Sequence, residues 1–279
     1  MAPTPRSLIL DLLSTLSRGA MPVRALVAAG RLFGLEENGM RVALARLLAA
    51  GLVERAERGR YRLGAAAAPV HGQVVGWRTI EQRVRPWSGG WVAVHGADRT
   101  TARALRLLGL RALRPALAVR PDNLAGGVAG VAARLRALGL PADVPVLGLH
   151  ELEPGLDAEA RALWDVAALR QGYRDTRTQL DRSERRLRQL PREDAMVEGF
   201  LLGGRAIRQL VLDPLLPDAI VPGGERAALV AAMLAYDRAG RAVWAEFLRG
   251  FGVVHRRTPA DLRLGDDERQ LAAAAGGHR

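Results

Sequence analysis

Asn38, Arg41, Val42, Ala45 and Arg46 follow the i, i+3, i+4, i+7, i+8 repeat that lines one side of a helix. Arg and Asn carry paired donors and acceptors that fit base edges in a major groove or phosphate oxygens, and small apolar side chains fit thymine methyls. The chemistry such a row can perform is recognition of duplex DNA. Downstream, Arg58, Arg60 and Arg62 alternate along an extended stretch; there they can reach phosphates, adding affinity and salt dependence with little sequence information.

Three helices and a hairpin must position these residues. Leu8, Leu12, Leu13 and Leu16 recur at helical spacing across Ser7 to Ser17, and Arg18-Gly19 closes that segment. Pro22 opens a second helix with Leu26, Val27, Leu32 and Phe33 as its apolar positions, and Gly34 suits a tight turn. A third helix runs from Asn38 to Ala49. Its inner stripe is Met40, Leu44, Leu47 and Leu48, opposite the reading residues. Leu52-Val53-Glu54-Arg55 and Arg60-Tyr61-Arg62-Leu63, separated by Glu57-Arg58-Gly59, read as two strands joined by a turn. The series is that of a winged helix-turn-helix over residues 1–64.

Charge agrees with an anionic partner for the first half. The chain of 279 residues has 41 basic residues, all Arg, against 29 acidic ones, a net charge of +12. Counted by segment, residues 1–64 hold 10 Arg and 5 acids and residues 65–155 hold 11 and 6, so each carries +5. Residues 156–250 hold 15 and 14, and residues 251–279 hold 5 and 4, nearly balanced. The anion-facing surface is expected to be N-terminal and central. Absence of Cys excludes disulfides, zinc ribbons and cysteine nucleophiles. No run approaches the roughly 20 apolar residues of a membrane span, and Met1 to Ser7 does not open a signal peptide, so a cytoplasmic protein is expected.

After a small-residue linker, Ala65 to Pro69, the centre (70–153) alternates strands and helices. Trp91 to Val94, Leu113 to Val119 (interrupted by Pro115) and Val146 to Leu149 are strand candidates. Thr100 to Leu108 and Val128 to Leu138 are helices, and an extra short strand near Arg111 would complete a ferredoxin-like βαββαβ domain able to pair edge to edge in a dimer. This order resembles that of the small CRISPR-adaptation nucleases, which implies a metal-binding Asp at the end of the first strand. Here that strand runs into His95-Gly96, and Asp98 comes later without a second carboxylate close in sequence, whereas such hydrolysis needs carboxylates holding a divalent ion. Asp98 reads better as a helix N-cap. A metal-dependent nuclease stays as an alternative reading, as does a nonspecific nucleic-acid-binding accessory protein. His71, His95, His150, His255 and His278 are scattered, with no i, i+4 pair, and the glycines at 126, 127, 199, 203 and 204 form no phosphate loop. No catalytic residue and no metal site are expected.

Glu153-Pro154-Gly155 marks a turn into a C-terminal helical domain (156–250), with helices over Ala160 to Leu190, Glu193 to Leu212 and Ala227 to Leu248. The Arg-rich run Arg182 to Arg188 has Asp175, Asp181 and Glu184 as helix-spaced partners and reads as a solvated face. Trp164, Tyr173, Trp244 and Phe247 are expected in the core. Residues 256–279 end in AAAAGGHR and read as a poorly ordered tail.

Over residues 6–250 the chain resembles the PaaX family of bacterial transcriptional regulators. The carrying stretches are LFGLEENGMRVALARLLAAGLVERAERGRYRL (Leu32 to Leu63), LGLRALRPALAVRPDNL (Leu108 to Leu124) and LVLDPLLPDAIVP (Leu210 to Pro222). One departure is Gly223-Gly224-Glu225-Arg226, where the family has a Trp-containing turn. The resemblance implies an α+β, multidomain, dimeric repressor of an aromatic-acid catabolic operon: a winged N-terminus on operator DNA, a central ferredoxin-like domain and a helical C-terminal domain, relieved by an aryl-acyl-CoA effector such as phenylacetyl-CoA, with no cofactor. Arg111, Arg114 and Arg120 gather around the central strand and are the expected contacts for the effector's phosphates.

Overall fold

The computed structural model describes residues 2–15, 19–67, 71, 76–98 and 101–253. The expected tail at 256–279, the end of the first expected helix at 16–17, and His255 and His278 lie outside the described residues, as do residues 68–69 of the expected linker, whose Ala65–Ala67 forms a 3-10 turn. The chain is mixed α+β and packs as two compact units, one of Met1–His71 with Pro191–Val197 and Gly240–Arg279, the other of Gly72–Leu190 with Glu198–Ala239. Among the described residues no helix is long and apolar enough to cross a membrane.

In the first unit α1 (Pro5–Ser14) begins at a capping box: Thr4 Oγ1 accepts the Ser7 amide at 3.1 Å, and Ser7 Oγ accepts the Thr4 amide at 3.0 Å. Its Leu8, Ile9, Leu12 and Leu13 are buried. A two-residue strand, β1 (Met21–Pro22), precedes α2 (Val23–Leu32), so Pro22 stands just before the second helix rather than inside it. Such a short strand carries no alternation for a sequence to show. The helix α3 (Glu37–Ala49) crosses α2 at Gly30, where a Cβ would meet Met40 Cγ at 2.8 Å. Strands β2 (Val53–Glu57) and β3 (Arg60–Leu63) form an antiparallel hairpin, with β1 on the other side of β3.

The second unit is built on a four-stranded antiparallel sheet of β4 (Trp91–His95), β5 (Arg111–Arg114), β6 (Leu117–Pro121) and β7 (Val146–Leu149), in the order β5-β6-β4-β7. Helix α4 (Ala102–Leu107) follows β4, and α5 (Gly127–Ala137) joins β6 to β7. The expected single strand over Leu113 to Val119 is instead a hairpin that reverses at Pro115-Ala116, with Ala116 at φ 61°. Proline has no amide for a ladder and favours the first position of a turn, so the chain turns where it cannot continue. Trp91 to Val94 are fully buried, and Trp91 Nε1 donates to Asp157 Oδ1 at 3.0 Å. The segment Gly76–Arg83, with no element expected from sequence, is a kinked 3-10 stretch that buries Trp77 and Ile80.

Pro154 opens α6 (Pro154–Arg161) as its first residue, so the expected turn at 153–155 is a helix start. The expected helix from Ala160 to Leu190 is broken: Asp165 caps α7 (Val166–Leu187), accepting the Ala168 amide at 2.8 Å. Two more helices follow, α8 (Arg192–Val211) and α9 (Gly224–Arg249). Trp164, Tyr173 and Trp244 are buried as expected, and Phe247 is half-buried.

The loop Asp213-Pro214-Leu215-Leu216-Pro217 is tied to the sheet by buried polar groups. The guanidinium of Arg120 donates to the carbonyl of Leu108, to Pro214 O at 3.2 Å and to Asn123 Oδ1 at 2.9 Å, while Asn123 Nδ2 donates to Leu215 O at 2.6 Å. Asp213 accepts the Tyr173 hydroxyl at 2.5 Å and the Leu215 amide at 2.7 Å. Burial raises the Asp213 carboxyl above its ordinary range, against the pull of those donors and of Arg226. Two of the stretches that carry the family resemblance therefore meet each other in the interior.

Candidate nucleic-acid interface

The two sides of α3 separate cleanly. Met40, Leu44 and Leu47 are buried against α1 and α2, and Leu48 is half-buried, while Asn38, Arg41, Val42, Ala45 and Arg46 are all exposed. Val42 stands 42% exposed, an apolar side chain in the middle of a polar face. All five predicted reading residues thus share one solvent-facing side of one helix.

The hairpin arginines have separate roles. Arg58 lies exposed at the turn and makes no ion pair among the described residues. Arg62 faces Glu54 across the strands, Nε to Oε1 at 2.6 Å. Arg60 is half-buried and donates from Nη2 to the carbonyl of Ala20 at 2.8 Å, so it fastens the hairpin to the segment entering β1. Of the three, Arg58 is best placed for a backbone contact.

The proposed effector contacts do not converge. Arg120 is 1% exposed and spends its donors on carbonyls and Asn123, so no ligand phosphate reaches it. Burial, then repulsion from Arg134 and Arg83, lowers it to about 9, which leaves it a cation at neutral pH. Arg114 is exposed but paired with both oxygens of Glu159, at 2.7 Å for one, and its guanidinium holds that carboxyl below its usual range. Arg111 is half-buried, with Nη1 3.2 Å from Leu110 O. The three arginines are close in sequence, but the burial of Arg120 depends on Pro214, far along the chain.

Other predicted partners also change. Asp98 is not the N-cap of α4, which is Thr101; its carboxylate accepts the Thr101 amide at 3.1 Å, one step before the helix. In the Arg182 to Arg188 run, Arg186 pairs with Glu198, Asp181 pairs with Arg177 at 3.7 Å, and Asp175 accepts from Gln171. Where the expected Trp turn is missing, Glu225 binds Arg170 and Arg174, and Arg226 donates to Leu216 O at 3.1 Å. Among the described residues, no three His, Asp or Glu side chains gather as a metal site.

Sequence reasoning missed Arg31 and Glu37. The Glu37 carboxylate accepts Arg41 Nε and Nη2 at 2.9 and 2.7 Å and Arg31 Nη2 at 2.9 Å, joining the last turn of α2 to the first of α3. Arg41, foremost, and Arg31 hold the Glu37 carboxyl below its ordinary range. The Glu37/Arg41 spacing of i, i+4 was a signal; the reach from Arg31 was not. A shallow groove of about 460 Å³ lies beside the same face, lined by Arg6, Val42, Arg46, Leu47 and Leu52 among others.

Known proteins resemble this chain in two ways. Residues 4–67 match the family model described as PaaX-like protein. That similarity covers the N-terminal segment, less than half of the chain. A solved structure, that of the uncharacterized protein Rv0674 from Mycobacterium tuberculosis, is similar at 25% identity with a TM-score of 0.55, over 86% of this chain and 99% of that one. The likeness to that uncharacterized protein therefore extends well beyond the PaaX-like segment. No curated protein matches the chain significantly.

Proposed function

We propose that this PaaX-like chain is a transcriptional regulator that binds duplex DNA sequence-specifically through α3. The observation that carries the reading is the exposed row Asn38, Arg41, Val42, Ala45 and Arg46, backed by a buried stripe within the segment matched by the PaaX-like model. In this reading the helices and hairpin of the first unit are a winged helix-turn-helix: α3 enters the major groove and Arg58 approaches a flanking phosphate. The sheet order β5-β6-β4-β7 with α4 and α5 as crossovers supports a ferredoxin-like centre. The chain acts as a homodimeric repressor on operator DNA and is released by an acyl-CoA effector that favours a dimer geometry fitting the operator poorly. The effector's phosphates need a site other than Arg120.

The test measures affinity of the purified protein for the duplex upstream of its own reading frame against a scrambled duplex, across a salt series, with and without phenylacetyl-CoA. Preference for the upstream duplex, weakened by the thioester, is expected. Equal affinity for both duplexes would sink the sequence-specific reading, and specific binding indifferent to the thioester would remove the effector alone.

A further inference from the structure

A surface built solely for affinity to a polyanion has no use for a carboxylate, yet Glu37 stands at the head of the exposed row of α3. Its side chain is 42% exposed, between those of Arg41 at 56% and Arg31 at 68%. A single oxygen, Oε1, takes both Nε and one hydrogen of Nη2 of Arg41, and Oε2 takes Arg31. An arginine held this way keeps the Nη1 hydrogens and the outer one of Nη2, a two-pronged edge that matches the O6 and N7 of guanine. The same carboxylate offsets the charge of Arg31 and Arg41, which would otherwise attract phosphates wherever the protein lands.

We propose that Glu37 determines the specificity of this surface: it presets Arg41 for a guanine in the major groove, and its charge weakens the indiscriminate attraction of Arg31 and Arg41 for phosphates. The inference rests on the DNA-binding reading and deepens it. Glu37 acts as a positioning residue, through Arg41, and by repulsion. Where the guanine is present, the contact it offers Arg41 offsets the repulsion between Glu37 and the DNA backbone. Where it is absent, the repulsion stands alone and binding is weaker.

Duplexes enriched by the wild-type protein from a random-sequence pool provide the probe, with a shuffled duplex as reference. For Glu37→Gln, the shuffled duplex is expected to bind more tightly and with a steeper salt dependence, by about one to two phosphate contacts' worth of slope. The ratio of enriched to shuffled affinity is expected to fall roughly 10-fold. Thermal melting should show the variant folded, because the side chain is exposed. An unchanged ratio, or an equal loss of affinity for both duplexes, would overturn the proposal while leaving DNA recognition by α3 in place. Failure of the wild-type protein to enrich any sequence would overturn both.

Discussion

The guanidinium of Arg120 donates to the side-chain oxygen of Asn123 at 2.9 Å, and both residues reach across to the same distant loop, Arg120 to Pro214 and Asn123 to Leu215. The RPDN stretch at the end of β6 and the DPLLP loop after α8 are thus two halves of one buried joint. An arginine that resembled a ligand contact on paper is a fastener for the fold. Its positive charge is surrounded by carbonyl dipoles rather than a directly bonded carboxylate, an arrangement tolerable only while each donor is satisfied.

Replacing Arg120 by Met is therefore expected to destabilise the protein by about 3 kcal/mol, because the Leu108 and Pro214 carbonyls and the Asn123 side chain lose their donor together in a dry interior. Urea unfolding of the second unit measures this. A loss below about 1 kcal/mol would mean that the joint contributes little.

Gly109 and Gly139 separate backbone strain from crowding. Both have positive φ, 74° and 97°, but a Cβ at Gly109 would lie 2.7 Å from Pro214 Cα, while one at Gly139 meets nothing within 4 Å. Gly139→Ala should cost about 1 kcal/mol, the ordinary penalty for an L side chain in the left-handed region. Gly109→Ala should cost at least about 2 kcal/mol more, since the neighbour is backbone and must be displaced. Equal melting temperatures for the two variants would contradict the close approach of the DPLLP loop.

Acid should loosen the contact that stands where the expected Trp turn is missing. Hydrogen bonds, from Arg170 first and then Arg174, hold Glu225 below its ordinary 4.5 despite some opposing desolvation. A carboxyl lowered in the folded state stabilises it fully above the unfolded value, and that contribution disappears as pH falls through the lowered one. Wild type should therefore melt above Glu225→Gln near neutral pH, and the gap should close in strong acid. A gap that is constant with pH would show that the charge of Glu225 is not what matters.

The hairpin should divide into a phosphate contact and a structural tie. Arg58→Ala is expected to reduce the dependence of log affinity on log salt by about 0.9, the share of one phosphate, and to leave discrimination between duplexes unchanged. Arg60→Ala should instead lower the melting temperature, because the Ala20 carbonyl loses its partner. Salt-titrated binding and thermal melting distinguish the two; a loss of discrimination in Arg58→Ala would place that residue on a base.

The reading face of α3 was visible in the sequence because helical period is a local property: Met40, Leu44 and Leu47 can face inward only if Asn38, Arg41 and Ala45 face out. Strand β7 and the bounds of α5 were legible within a residue or so for the same reason, as was the charge balance that separates the first half from the second. Strand β1 was not, since two residues show no period. The hairpin at Pro115-Ala116 was half legible, through a proline that interrupts a strand but does not say whether the chain bends or reverses.

Position in space decided what each charge does. The sequence determined that Arg120, Arg60 and Arg58 are cations on or beside extended segments, and that Glu37 lies one helical turn before Arg41. Only the tertiary structure decided that Arg120 is sealed under Pro214, 94 residues away, that Arg60 is tied to Ala20, 40 residues back, and that Arg31 closes on Glu37 from another helix. The physical reason is that a side chain's pattern of neighbours within one turn follows from backbone geometry, whereas burial and pairing of a charge depend on groups brought together by packing.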